Sequence, residues 1–405
     1  MIKNIICTLL LIPSLLAADP IRVLYMAQAG YSPGDIELRS REFTEVHGKA
    51  VELTFEEYDQ MYTLLDQSAD RFDVILVDNI WTADFAVRGL IDPVPPAIAE
   101  HIRTNAIPEI YNANSYDGQL WAVPFLANFQ LLYTNLDLLN RAGYSSPPVT
   151  LEEMQMMARS AKEKELITYP IFDSLRSQEI LVCELIWLSG LEAGDWYDEH
   201  GHFTVDHPEL RRALNYLLEL KQDGLLNPLS LESGEIFAAE VFTWGDALFS
   251  TNWTFLIGEL KESTYLAASP DYFEYVVSVL PRFAASDECS TVSGFQGLSV
   301  MSGSRQKEQA WEYILYLSSP EFQRRYHDEF PVWKSLWDDA TATAEDPYFQ
   351  IKRQQVATVK SRPVHPDYRN ISLILQKWAT RVLQQIVTVD EAILAMQMEL
   401  DRLEQ

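Results

Sequence analysis

Residues 117–137 read DGQLWAVPFLANFQLLYTNLD. Asp117-Gly118 is a turn pair. Two apolar runs follow, 121–126 and 129–133, rich in Val, Phe, Tyr and Leu. Neither is long enough for an ordinary helix, and short apolar runs bounded by turn signals read as buried strands. Ala127 and Asn128 lie between them. A polar side chain between buried strands must find a partner. Asn128 therefore either kinks a strand within one sheet or marks where the chain leaves one lobe for another, its amide facing a cleft. Pattern alone leaves both readings open.

The whole chain has 405 residues, 47% hydrophobic and 22% charged, with a net charge of −28. That composition is globular and long enough for two or three domains. The charge argues against nucleic acid and against an anionic membrane surface, both of which need a basic face. Residues 1–18 combine Lys3, an apolar run over 5–16 and Ala17-Ala18, the layout of a secretory signal peptide. The remainder is expected to be exported, periplasmic or extracellular, and soluble. Cys183 and Cys289 could pair in an oxidising compartment, or stand as two separately buried thiols. His200-Gly201-His202 and Asp206-His207 read as a solvated loop, with a metal site the weaker alternative. No metal and no cofactor is expected.

Taken in order, 21–26 alternates as a strand, 36–47 is helical, 49–55 alternates again, and 58–68 is helical. Residues 71–77 (RFDVILV) form a buried strand ending at Asp78, and 82–88 is a helix closed by Gly89. Alternating strands and helices mean βαβ units and parallel sheets. Ligands of such sheets bind beyond the carboxyl ends of the strands, which nominates Gln28 to Tyr31 and Asp78 to Trp81. Asp78 equally suits the cap of the following helix, and Trp81 equally suits the core. From Thr150 the pattern turns helical over 151–165, 178–191 and 207–223, with Pro208 in a first turn. Residues 275–280 (YVVSVL) are a strand, and 346–404 reads as helical.

Several stretches resemble the extracellular solute-binding proteins of ABC importers, in particular the sugar-binding, maltose-type family. The opening stretch is similar at Gly118, Trp121, Pro124, Asn128, Leu132-Tyr133-Thr134-Asn135 and Leu138-Leu139-Asn140-Arg141-Ala142-Gly143. So are Asp73 to Trp81 with Gly89 to Pro93, Gly245 to Phe249 with Trp253, Ser293 to Val300, and the terminal helix from Val389. Leu151 stands where the family has Trp, Phe295 where it has a second Gly, and Trp333 where it has Arg.

The resemblance implies an α/β fold of two hinged lobes, each a mostly parallel sheet flanked by helices, with a helical C-terminal segment. It divides the chain into 19–128 and 285–331 in the first lobe, and 129–284 and 332–405 in the second. It implies a monomeric receptor, not an enzyme, closing on a small molecule, a saccharide in the first instance, and presenting it to the permease subunits of the transporter. Gln28, Tyr31, Asp78, Asn79 and Trp81 would act from the first lobe, and Trp244, Trp253 and Trp333 from the second. Asn128, Phe295 and Gln296 would lie near the hinge. Sugars ask for planar hydrogen-bonding groups and flat aromatic faces, and ten Trp and nineteen Tyr supply the latter. Trp121, Trp187 and Trp311 read as core, and Trp244, Trp253 and Trp333 as stacking surfaces. The alternatives are the same fold with a polyamine, peptide or metal as ligand, and an exported glycoside hydrolase. The hydrolase would need two carboxylates across a cleft.

Overall fold

The structure, a computed structural model, describes residues 19–27, 30–265, 273–284, 287–326 and 329–403. The 1–18 leader and Gln28 lie outside them. β1 (Ile21–Met26), β2 (Val51–Glu56) and β3 (Val74–Asp78) form a parallel set in the order β2-β1-β3. The helix Pro33–His47 follows β1. It starts where the Ser32 hydroxyl accepts the Asp35 N–H at 3.2 Å, and it stops at Gly48 in the left-handed region. The helix Tyr58–Ser68 follows β2. Every residue of β3 is buried, as a strand covered on both faces requires.

The turn pair closes a small hairpin between β4 (Ser115–Tyr116) and β5 (Gln119–Leu120). Asp117 and Gly118 both have positive φ, 48° and 73°, the geometry of a two-residue hairpin turn. The two apolar runs that follow are one strand, β6 (Val123–Asn135), thirteen residues long. Its first half pairs with β9 (Thr291–Val300). Its second half pairs with β7 (Phe249–Trp253) and β8 (Tyr275–Ser278). Pro124, which lacks a ladder donor, sits where the β6–β9 register shifts. β10 (Val359–Lys360) adds to β9 at Thr291 and Val292.

Parallel pairing is thus confined to β2-β1-β3 and the short β10. β6 and β9 run between the lobes in opposite directions, so the strands through the hinge are antiparallel. One apolar core surrounds β1–β3 and continues along β6 to the helix Glu235–Thr243. The other gathers the helices Leu151–Glu163, Glu179–Ser189, Pro208–Gln222, Tyr368–Leu383 and Val389–Leu403. Leu151–Glu163 opens with a reciprocal cap between Thr150 and Glu153. Val332, Trp333 and Leu336 pack in the first core, although the resemblance takes the chain into the second lobe at 332. The 346–404 stretch is not continuous helix. Pro363 and Pro366 interrupt it, and residues 361–367 form a loop between β10 and the helix Tyr368–Leu383. Cys183 and Cys289 are free thiols. No described helix is long and apolar enough to cross a membrane.

Beneath the second half of β6 lie two buried carboxylates. Asp173 accepts the Thr251 N–H at 2.8 Å and its hydroxyl at 2.9 Å. Glu184 accepts from Gln130 Nε2 at 2.8 Å and Trp187 Nε1 at 2.6 Å. Burial pushes Asp173 up to about 6, against the bonds from Thr251. Burial, reinforced by the charge of Asp173, pushes Glu184 well above the usual carboxylate range. A folded-state pKa above the unfolded one means that the folded chain holds the extra proton. That stability is complete below about pH 4 and is lost as pH rises to about 6. Urea unfolding at about pH 4 and about pH 7 should show wild type losing on the order of 2–3 kcal/mol more than Asp173→Asn over that interval. Parallel pH profiles for the two proteins would rule the effect out.

Candidate functional site

A cavity of about 620 Å³ opens between the lobes, in the usual range for small-molecule sites. The first lobe contributes the carboxyl ends of its parallel strands: Met26 and Ala27 at the end of β1, Glu57 and Tyr58 after β2, and Asp78 at the end of β3. This is where an open α/β sheet presents its ligands. The crossing strands contribute Asn128 from β6 with Gly294 and Gln296 from β9. The second lobe contributes Glu179, Ile180 and Cys183 from one helix, Glu235 to Phe237 and Glu240 from another, and Trp253 and Phe255 at the end of β7.

Side-chain parity explains which crossing residues face inward. Alternate residues of a strand point to opposite faces. Gly294 and Gln296 therefore line the cavity, and Phe295 between them is fully buried in the first core. Trp253 lies over Gly294: a Cβ there would come within 2.7 Å of the indole. The Asn128 Oδ1 accepts from the Thr254 hydroxyl at 2.6 Å and its N–H at 3.2 Å, the partner its position demands. Gln296 is 7% exposed. Its Nε2 lies 3.5 Å from Met26 Sδ, and its Oε1 accepts no hydrogen bond among the described residues.

Arg362 crosses the cleft. Its guanidinium, 2% exposed, donates through Nη2 to Asp78 Oδ1 at 2.7 Å and Asn79 Oδ1 at 3.0 Å, and through Nη1 to Glu179 Oε1 at 3.0 Å. Asp78 also accepts from the Tyr58 hydroxyl at 3.1 Å and from the Ile80 N–H at 3.3 Å, the latter capping the short turn Asn79–Trp81. Glu179 also accepts from the Tyr368 hydroxyl at 2.7 Å and the Ser372 hydroxyl at 2.5 Å. Burial works against the charge of Arg362. Asp78 and Glu179 outweigh it and hold the guanidinium firmly protonated. Burial raises Glu179, with Arg362 pulling the other way. Nearby, the Arg369 guanidinium carbon lies 4.3 Å over the Tyr62 ring, and its Nη1 is 3.8 Å from Asp66 Oδ2.

Of the residues nominated by the sequence, Asp78, Asn128, Trp253 and Gln296 share this cavity. The other nominated residues among those described lie elsewhere, each for a visible reason. Tyr31 packs its ring against Phe125, Phe322 and Tyr326. Asn79 accepts from Arg362 behind Asp78. Trp81 is 6% exposed and lies behind Tyr58, ring centres 5.0 Å apart. Trp244 is 58% exposed at the end of the helix Glu235–Thr243, edge-on to the cavity residue Phe237. Trp333 is buried, its Nε1 donating to the Ser318 carbonyl at 2.7 Å. Arg362, Glu179 and Tyr58 were missed. The signal for Arg362 was the pair Pro363 and Pro366, which forbids the continuous helix read over that segment. His200 and His202 are exposed, in a turn whose N–H groups donate to Asp198.

The architecture matches known proteins over nearly its full length. It superposes on maltose-bound MalE3 of T. maritima with a TM-score of 0.81 at 22% identity, covering 95% of this chain and 99% of that one. For the ABC transporter solute-binding protein of Thermotoga lettingae TMO bound with α-D-tagatose, the TM-score is 0.82 at 20% identity, with 95% and 99% covered. The fold is therefore that of the two-lobe periplasmic binding proteins. A probable ABC transporter-binding protein of Deinococcus radiodurans is 26% identical over 308 residues, 74% of this chain and 71% of that protein. Residues 39–348 match the family of bacterial extracellular solute-binding proteins, and the chain belongs to that family.

Proposed function

We propose that this protein is the exported, monomeric receptor of an ABC import system. It binds a sugar or small oligosaccharide between its lobes by hinge closure and delivers it to the permease. The observation that carries this reading is the cavity itself, whose wall joins Tyr58 and Asp78 of one lobe to Phe237 and Trp253 of the other. A ligand stabilises a closed form only through contacts with both lobes. The indole of Trp253, seated on Gly294, offers a flat apolar face to the C–H side of a sugar ring. Asn128 and Gln296 supply planar polar groups beside it. The sugar and polyol ligands named for structurally similar receptors support the same class, among them maltose, tagatose and ribitol. A glycoside hydrolase is disfavoured. The chain belongs to a family of solute-binding proteins, and two of the carboxylates that line the cavity, Asp78 and Glu179, are engaged by Arg362, whereas hydrolysis needs an acid and a base at liberty to exchange protons.

A thermal-shift panel of mono- and oligosaccharides, polyamines, amino acids and divalent metals tests the proposal. A ligand present at a hundredfold excess over its Kd adds roughly 2.7 kcal/mol of stability. A saccharide that raises the melting temperature without being turned over is the expected result. A shift with a polyamine or a metal alone would overturn the ligand class. With the best saccharide in hand, Trp253→Ala should weaken binding by about 2 kcal/mol, roughly thirtyfold in Kd by calorimetry. Gly294→Ala should weaken it as well, because the added methyl displaces the indole. Unchanged titrations for both variants would remove Trp253 from the binding surface.

A further inference from the structure

Asp78 occupies the position from which the resemblance would send a carboxylate to sugar hydroxyls, yet its oxygens are already occupied. Oδ1 receives Arg362 Nη2 and the Ile80 N–H, and Oδ2 receives the Tyr58 hydroxyl. The guanidinium belongs to the other lobe. It stands in the loop that leads into the helix Tyr368–Leu383, whose Tyr368 and Ser372 bind the same Glu179 that holds Arg362 Nη1. The Tyr197 hydroxyl pins the loop through the Val364 carbonyl at 3.1 Å.

We propose that Arg362 is an interlobe clasp: it takes Asp78 out of ligand recognition, makes it a positioning residue, and gives the closed form an ion pair of its own. The inference rests on the hinge-closing part of the functional reading, not on the ligand's identity. Opening the lobes separates Arg362 from Asp78 and Asn79 while leaving Arg362 with Glu179. The Asp78–Arg362 pair is nearly free of solvent, with 6% and 2% of the two side chains exposed. Separating it trades a charge-assisted bond in a poorly solvated cleft for two charges that must be rehydrated. Arg369 over Tyr62 adds a second, more exposed contact between the same two lobes. Two consequences follow. The ligand adds to a closure already favoured, which raises apparent affinity in proportion to the closed fraction. Ligand selection moves from Asp78 to the Trp253, Asn128 and Gln296 side of the cavity.

Small-angle X-ray scattering on the ligand-free full chain tests this without any ligand. Asp78→Asn keeps the shape and the capping oxygen but removes the charge facing Arg362. Arg362→Met removes the guanidinium. Both should increase the radius of gyration and lengthen the maximum dimension relative to wild type. Glu179→Gln, which alters contacts within the second lobe to Arg362, Tyr368 and Ser372, should do so less. Each variant is checked for a cooperative thermal transition, and if Arg362→Met does not fold, Asp78→Asn alone decides. A folded Asp78→Asn protein that scatters like wild type would overturn the clasp and leave the saccharide proposal standing. A saccharide panel without shifts, combined with an opened Asp78→Asn, would do the reverse.

Discussion

Everything in this molecule depends on one strand that serves two sheets. A strand that changes partners midway must hand over its backbone hydrogen bonds without leaving a buried donor or acceptor empty. In β6 the handover falls between Phe129, the last residue paired to β9, and Gln130, the first paired to β7. The Thr291 side chain bridges the gap. Its hydroxyl oxygen receives the Gln130 N–H at 3.1 Å, and the hydroxyl donates to the Gln130 carbonyl at 2.8 Å. Two residues before Gln130, Asn128 anchors Thr254 by two bonds to one oxygen. Together these fix where β7 ends, and so where the Trp253 indole lies in the cleft. The hinge and the floor of the cavity are thus set by the same few hydrogen bonds.

What the sequence disclosed divides along physical lines. Local signals were legible: Tyr58–Ser68 has the limits its pattern predicts, Asp117-Gly118 makes its turn, and a helix starts directly after Thr150. The rule placing ligands beyond parallel strand ends pointed to Asp78, which lines the cavity, and period-two reasoning applied to β9 would have separated Gln296 from Phe295. Long-range placement was not legible. Trp333 and Tyr31 are amphipathic aromatics whose polar tips suit either a cleft or a core. Only the tertiary packing around Phe125 and Ser318 decides for the core. Arg362 is the opposite case. It is 284 residues from Asp78, so no local pattern joins them, and only the neighbouring prolines betrayed that the segment was not helix.

Burying a guanidinium between two carboxylates is a poor way to stabilise a fold, because desolvation takes back much of the Coulombic gain. Its value lies in geometry. An apolar contact across a cleft tolerates sliding, whereas Arg362 meets Asp78, Asn79 and Glu179 together only at one lobe orientation. That orientation is also the one in which Tyr58 reaches Asp78 and the rings of Trp253 and Phe237 bound the same space. Specificity of closure, and not net stability, is what such an interaction supplies best.

The helix Glu179–Ser189 carries this logic into the second lobe. Its residues from Ile180 to Ser189 are all buried, so its polar side chains are placed by partners and not by solvent. Glu179 at its start is held by a cation and two hydroxyls, and the negative charge is answered. Glu184, five residues further on, meets only neutral donors and Asp173, and burial, reinforced by the charge of Asp173, pushes it well above the usual carboxylate range. Two glutamates on one helix therefore differ in kind. The one that reaches the cleft has a cationic partner to orient, and the one beneath the sheet bridges Gln130 of β6 and Trp187 of its own helix. The helix thus joins the cleft, through Glu179, to the strand that runs through the hinge, through the bond from Gln130 to Glu184.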